Sequence, residues 1–247
     1  MSNQLTAGNL IFGLIIQVDC QRLFDGNFLL LLRELQSGLP VIPYCLGRIL
    51  GNFIEFVFYS WAFLCGYYPF LDAHKPFIAF WIMFLLLHLA ISGYVNLLMV
   101  IFRGSNRSFL TIGIFVIFWA MAGFSPPPEE IKTSLGIFGM IVYYISPFHY
   151  STANEVIMEM NAYPEIWQTD KVLESIDLKS SYFNKYFTAL IGMFIIANML
   201  TLLAVMSRIK KWTSAAKTYF KILRSSITNK KRSKVDPEKM YGASIYV

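Results

Sequence analysis

The chain has 247 residues, of which 56% are hydrophobic, 17% aromatic and only 15% charged. Because an average soluble domain is about 25% charged, this composition excludes a disordered protein and a typical soluble enzyme, and three cysteines are too few for a disulfide scaffold. The net charge of +6 arises from the C-terminal segment. From Arg208 onward there are eleven Lys and Arg residues against two acidic residues, whereas the preceding residues have a net charge of −3. We therefore expect a membrane protein with a basic tail.

Five apolar stretches are long enough, or nearly so, to cross a bilayer. A transmembrane helix needs about 20 mostly apolar residues to cross about 30 Å of hydrocarbon. The stretches predict spans at about 5–18, 44–68, 77–102, 105–124 and 183–207. The first of these is short, and the other four are full length.

A sixth apolar stretch, residues 135–148, follows three consecutive prolines and ends at Ser146-Pro147. It is too short for a full span, and backbone at membrane depth must satisfy its own hydrogen bonds. We predict a re-entrant hairpin here, within an external region of residues 125–182.

Lys and Arg in the flanking segments predict the orientation. The 19–43 and 103–108 loops and the tail carry basic residues, whereas most of the acids of the body lie in 125–182. By the positive-inside rule the basic segments and the C-terminus are cytoplasmic. Residues 1–207 would then form the transmembrane domain. In the tail, 208–247, apolar residues recur at helical spacing between lysines, which predicts a membrane-surface helix followed by disorder rather than nucleic-acid binding.

Motifs of enzyme chemistry are missing from the sequence. It contains no phosphate-binding loop, nucleophile elbow or zinc-binding helix motif, and its three histidines do not stand at metal-ligand spacing. We expect no catalytic residues, no metal site and no cofactor bound by this chain.

Two charged residues lie inside the predicted second span. Arg48 is close enough to the span's start to extend its side chain to the interface. Glu55 should face protein or water rather than lipid. It either makes a helix–helix contact or lies on a translocation path, and the sequence leaves both alternatives open.

Two ordered motifs carry a family resemblance. The first is Arg33-Glu34-Leu35-Gln36-Ser37-Gly38, followed by a span that opens Pro43-Tyr44-Cys45-Leu46-Gly47-Arg48. The second is Tyr144-Ile145-Ser146-Pro147-Phe148-His149-Tyr150, followed by Glu155 or Glu159. In this order and spacing, residues 7–207 resemble the G (White-type) subfamily of ATP-binding cassette transporters.

The resemblance implies an all-α membrane helix bundle of the type-2 exporter kind. It also implies an ATPase domain and a first span that this chain lacks, so ATP and Mg would bind a nucleotide-binding domain supplied upstream or in trans. The expected partners are that domain, a second transmembrane domain in a homo- or heterodimer, and membrane lipids. Four residues would couple the chain to the nucleotide-binding domain: Arg33, Glu34, Ser37 and Gly38.

The resemblance also suggests a substrate cavity. Four residues share one face of the fourth span and would line it: Ile112, Phe115, Val116 and Trp119. Glu55 is a further candidate, and Phe124 would lie near the outer gate. The same stripe could instead contact lipid or a neighbouring helix.

The function favoured by the sequence is ATP-driven transport of lipids or other amphipathic compounds by alternating access, in the plasma membrane. A non-transporting scaffold or regulatory subunit is the main alternative. An integral-membrane lipid enzyme is less favoured, because no catalytic cluster is found.

Overall fold

The computed structural model describes residues 2–25, 40–71, 73–102, 106–122, 127–162, 171, 173 and 178–207. Within these ranges the longer helices are α1 (Ser2–Asp25), α2 (Val41–Tyr67), α3 (Phe77–Ile101), α4 (Arg107–Ala120), α5 (Pro128–Ile145), α6 (Pro147–Met160) and α7 (183–207). Short 3-10 turns, Tyr68–Phe70 and Ser180–Tyr182, follow α2 and precede α7. No strand occurs in the described ranges, and the predicted all-α membrane helix bundle is confirmed.

Prolines stand at the start of several helices. Pro40 and Pro76 precede α2 and α3, and Pro128 and Pro147 occupy the first positions of α5 and α6. Proline suits these positions because the first N–H groups of a helix have no partner within it. Helices α2, α3, α5 and α6 therefore each begin at a proline or directly after one.

Three helical stretches are long and apolar enough to cross a membrane: Ile42–Phe70, Phe77–Ile101 and Ser180–Ser207. Helices α5 and α6 pass the same test only as a pair, and they are bent by 66° at Ser146. Helix α4 is a shorter apolar helix of 14 residues. By length and composition, the described residues therefore contain three helices able to cross a membrane, or four if the bent pair counts as one span.

The bent pair covers more of the chain than the predicted hairpin at 135–148. Helix α5 is kinked at Gly136, whose φ of 58° is a conformation that favours glycine. The apolar half of α5 follows this kink. Helix α6 then lies in residues that we predicted to be part of the external region, and its residues 151–159 are all buried.

The core is built around α3 and α1. In α3, 67% of the apolar window is buried, against 17% in the α2 span. Helix α1 packs against α3, α4 and α6. Phe12 of α1 lies 4.7 Å from the Phe63 ring of α2 and 5.2 Å from the Phe84 ring of α3, measured between ring centroids. The first helix is therefore an interior element, although its predicted span is the shortest.

Two glycines of α1 mark close helix contacts, whereas two glycines of α2 do not. A Cβ added at Gly13 would lie 2.6 Å from the Phe148 ring of α6, and one added at Gly8 would meet the Tyr67 ring at the end of α2. Gly47 and Gly51 form a G-x-x-x-G spacing, for which helix packing is the expected meaning. Among the described residues nothing lies within 4 Å of a Cβ added at either of them.

The chain divides into two compact units, Met1–Ala204 and Val205–Val247. Of the second unit, residues 205–207 are described. The predicted amphipathic helix and disordered end of the tail lie outside the described residues.

Candidate functional site

The predicted coupling residues and the predicted outer gate lie outside the described residues. The four coupling residues are Arg33, Glu34, Ser37 and Gly38, and the gate residue is Phe124. Their roles stay predictions. The described helices nearest to them in sequence are α1 and α2 for the coupling segment, and α4 for the gate.

The predicted cavity residues of α4 differ in their surroundings. Phe115 is fully buried, and its ring lies 6.3 Å from that of Phe148 in α6. Trp119 donates a hydrogen bond of 2.9 Å from its indole nitrogen to the carbonyl oxygen of Thr6 in α1. Ile112 is partly buried, whereas Val116 is exposed. Of the four residues, Phe115 thus contacts α6 and Trp119 contacts α1, whereas the Val116 side chain is exposed.

Glu55 lies on α2 and is exposed. No hydrogen bond or ion pair to it occurs among the described residues, but its carboxylate is close enough to act electrostatically on the Cys20 thiol of α1. Arg48, two turns earlier, donates a hydrogen bond of 3.2 Å to the Tyr44 hydroxyl. The two charges of this span therefore have separate surroundings.

A buried polar cluster joins α1 to α6. The Asn9 side-chain amide donates one hydrogen bond of 2.9 Å to Thr152 Oγ1 and another of 2.9 Å to Glu155 Oε2. The Ser151 hydroxyl donates a hydrogen bond of 3.0 Å to the other carboxyl oxygen, Glu155 Oε1. All four side chains are fully buried.

Because these side chains are buried, their hydrogen bonds are important for stability. A polar group taken out of water costs free energy unless it finds partners, and the cost is greatest for a carboxyl group. Each oxygen of Glu155 receives a bond, one from α1 and one from within α6. We did not predict a pairing of Asn9 with this helix. The available signal was an amide inside an apolar stretch, together with Ser151 and Glu155 four residues apart.

The break between α5 and α6 is tied to the end of α4. The Ser146 hydroxyl donates a hydrogen bond of 2.7 Å to the carbonyl oxygen of Phe118. The His149 Nδ1 atom lies 3.0 Å from the carbonyl oxygen of Ala122, which accepts a hydrogen bond from it. Tyr94 of α3 donates to the carbonyl oxygen of Ile145 at 3.1 Å. The Ser-Pro motif thus satisfies backbone carbonyls that the helix ends leave without partners.

Glu159 links the other end of α6 to the turn before α3. Its carboxylate accepts hydrogen bonds from the backbone N–H groups of His74 at 2.7 Å and Lys75 at 3.3 Å. The His74 Nδ1 atom lies 3.5 Å from the same carboxylate. Glu159 is buried, whereas half of the His74 side chain is exposed.

Replacing Glu159 with leucine should lower the free energy of unfolding by about 2 kcal/mol, because two backbone N–H groups lose their carboxylate acceptor. Glu159→Gln should cost less, since its amide oxygen can still accept one bond. The melting temperature in detergent micelles measures both effects. Glu129→Leu, at an exposed position in the first turn of α5, is the matched control, and an equal loss in that variant would contradict the prediction.

The hydrogen bonds of these residues connect α1, α3, α4 and the α5–α6 break. Among the described residues no group of His, Cys, Asp and Glu side chains could hold a metal ion, and what these bonds do is hold helices at fixed positions. The arrangement is that of a positioning element inside a membrane bundle.

Comparison with protein families gives one match. The model of the ABC-2 type transporter family matches residues 5–158, from α1 almost to the end of α6. No curated protein matches the chain.

Proposed function

Because the chain belongs to the ABC-2 type transporter family, we propose that it moves lipids or other amphipathic compounds by ATP-driven alternating access, as a G-subfamily transporter. Its apolar helices and its family make it an integral, multi-pass membrane protein and the membrane part of an ABC-type transporter. The energy source and the cargo are the proposed part. The plasma membrane and a cytoplasmic C-terminus belong to the same proposal.

The observation that carries the proposal is the hydrogen-bonded connection of α1 to α4 and α6. Asn9 binds α6 and Trp119 binds the backbone of α1, so these three helices are joined by side-chain bonds across the bundle. Alternating access requires helices that move as bodies between two arrangements. A movement applied to one end of α1 would reach the α5–α6 break through these bonds.

The coupling segment completes this mechanism. Arg33 to Gly38 follow α1 in the chain, and Arg33 and Glu34 can form charge-assisted hydrogen bonds with a docking surface. We propose that this segment docks on a nucleotide-binding domain that binds ATP and Mg, supplied upstream or in trans. Two transmembrane domains, in a homo- or heterodimer, would then form the transport path.

Amphipathic cargo is supported by the surface of α4. Val116 is exposed and Ile112 is partly exposed on the face that was predicted to line the cavity. Such branched apolar side chains without charge suit a hydrocarbon or ring body. Phe115, which is fully buried, would support this face from behind rather than contact the cargo.

Purification of the full chain from its membrane tests the proposal. We expect a cassette-bearing subunit to co-purify and the complex to show vanadate-sensitive ATPase activity in proteoliposomes. Arg33→Ala combined with Glu34→Ala should lower this activity about tenfold, as expected for the loss of charge-assisted bonds, without changing the melting temperature. Arg22→Ala, in the neighbouring sequence, is the control.

Two results would contradict the proposal. A chain that binds no ATPase would favour the scaffold alternative. An ATPase complex that moves no lipid or amphipathic probe across the proteoliposome membrane would exclude the proposed cargo.

A further inference from the structure

A cavity of about 240 Å³ lies among α1, α2 and α3. It is smaller than the roughly 300–1,000 Å³ of pockets that enclose a drug-sized ligand, so it can hold one end of an elongated molecule. Its lining consists of Ile15, Ile16, Val18, Asp19, Tyr59 and His88.

His88 is the buried polar group of this cavity. Its side chain has no exposed surface, and neither ring nitrogen has a hydrogen-bond partner among the described residues. Its ring is packed against two aromatic rings, with centroids 4.4 Å from Phe56 and 5.6 Å from Phe12. Since buried polar atoms in proteins are almost always bonded, an occupant of the cavity is the natural partner for a ring nitrogen.

One carboxylate lies at the cavity. Asp19 of α1 is part of the lining, together with Tyr59 of α2 and His88 of α3. Charged side chains within a span face protein or a cavity rather than lipid, and mark ligand paths. Asp19 therefore gives the cavity an acceptor for a cationic group.

The mouth of the cavity is apolar and open. Ile15 is 49% exposed, Val18 52% and Tyr59 44%. A hydrocarbon chain that leaves the cavity would therefore run along apolar surface. The Tyr59 ring adds a face to which a cation is attracted.

We propose that this cavity binds the protonated amine of an amphipathic compound. The ammonium group would lie between the Asp19 carboxylate and the Tyr59 ring and donate one N–H to His88, while the hydrocarbon part follows the apolar mouth. As a statement about cargo this rests on the proposed transport function. As a binding site it needs neither ATP nor a partner subunit.

Photolabelling of the full chain in dodecyl maltoside micelles, which contain no amine, tests the proposal. Three diazirine probes share one alkyl chain and end in a primary ammonium, a trimethylammonium or a hydroxyl group. We expect the ammonium probe to label peptides that contain Ile15–Val18 and Tyr59, with the trimethylammonium probe weaker and the alcohol at least about tenfold weaker, as expected for charge-assisted bonds.

Substitutions in the cavity provide a second test of the proposal. Asp19→Asn should reduce labelling by the ammonium probe about tenfold. His88→Phe should abolish the preference for the ammonium probe over its trimethylated form. Glu130→Gln, at an exposed position of α5, should leave labelling unchanged. If a variant fails to fold, the comparison of the three probes on the unaltered chain still tests whether the cavity prefers a protonated amine.

Three results would overturn the inference. Equal labelling by the alcohol would show an apolar or hydroxyl-binding groove, and equal labelling by the trimethylammonium probe would remove the role of His88. Labelling outside these peptides would place the amine elsewhere. If the purified complex showed no ATPase activity, that result would instead contradict the proposed transport function. It would leave the binding result intact.

Discussion

Replacement of Asn9 by leucine should lower the free energy of unfolding by about 3 kcal/mol. The substitution keeps the branched shape of the asparagine side chain and leaves a buried Glu155 oxygen and the Thr152 hydroxyl without their donor. Leaving a buried carboxyl oxygen unsatisfied costs more than a typical hydrogen bond contributes. The melting temperature and the recovery of monodisperse protein in detergent measure the effect.

A double variant separates the lost bond from other effects of the leucine. Asn9→Leu combined with Glu155→Leu should be more stable than Asn9→Leu alone, because replacing both partners by apolar groups is far less costly. Asn161→Leu is the matched control, since Asn161 is exposed and its side chain is hydrogen-bonded to the Ser180 hydroxyl. Equal losses in Asn9→Leu and Asn161→Leu would show that the cluster does not stabilise the bundle.

Replacement of Gly13 by leucine is expected to destabilise the chain by about 2–3 kcal/mol. A Cβ at this position would lie 2.6 Å from Phe148 Cζ and 3.2 Å from Ile91 Cδ1. Phe148 is itself buried against Phe115 and has little room to move. Thermal unfolding in micelles should therefore begin at a lower temperature.

A second substitution should restore part of this loss. Phe148→Ala removes the ring that the new side chain would meet, so Gly13→Leu should cost less in that background than in the original chain. Gly47→Leu should be nearly neutral, because nothing described lies within 4 Å of its added Cβ. If Gly47→Leu were as harmful as Gly13→Leu, the effect would belong to glycine replacement in general.

The sequence predicted much of the helix order, because spans are encoded by long apolar runs. Phe77–Ile101 lies almost exactly where its hydropathy places it, within one residue of the predicted end at 102. Helix α6 is different. Its Ser, Thr, Asn and Glu residues resemble those of an external loop, and the structure buries them. Hydropathy cannot show that polar residues will find partners on another helix.

The site shows the same limit at single residues. The stripe of α4 was visible as a helical repeat, yet the repeat does not distinguish Phe115, which is buried, from Val116, which is exposed. The spacing of Gly47 and Gly51 suggested a helix contact that is not found among the described residues, whereas Gly13 lies against Phe148. Such differences depend on the neighbour across the interface, which local sequence does not contain.

The two carboxylates of α6 fix a distance inside the bundle. Glu155 is bonded to α1, and Glu159 is bonded to the turn before α3. They stand one helical turn apart, so their Cα atoms are separated by about 6 Å along the axis. As long as α6 stays helical, α1 and the start of α3 cannot slide past each other by a turn without breaking one of these attachments. A conformational cycle that preserves both must therefore bend the chain elsewhere.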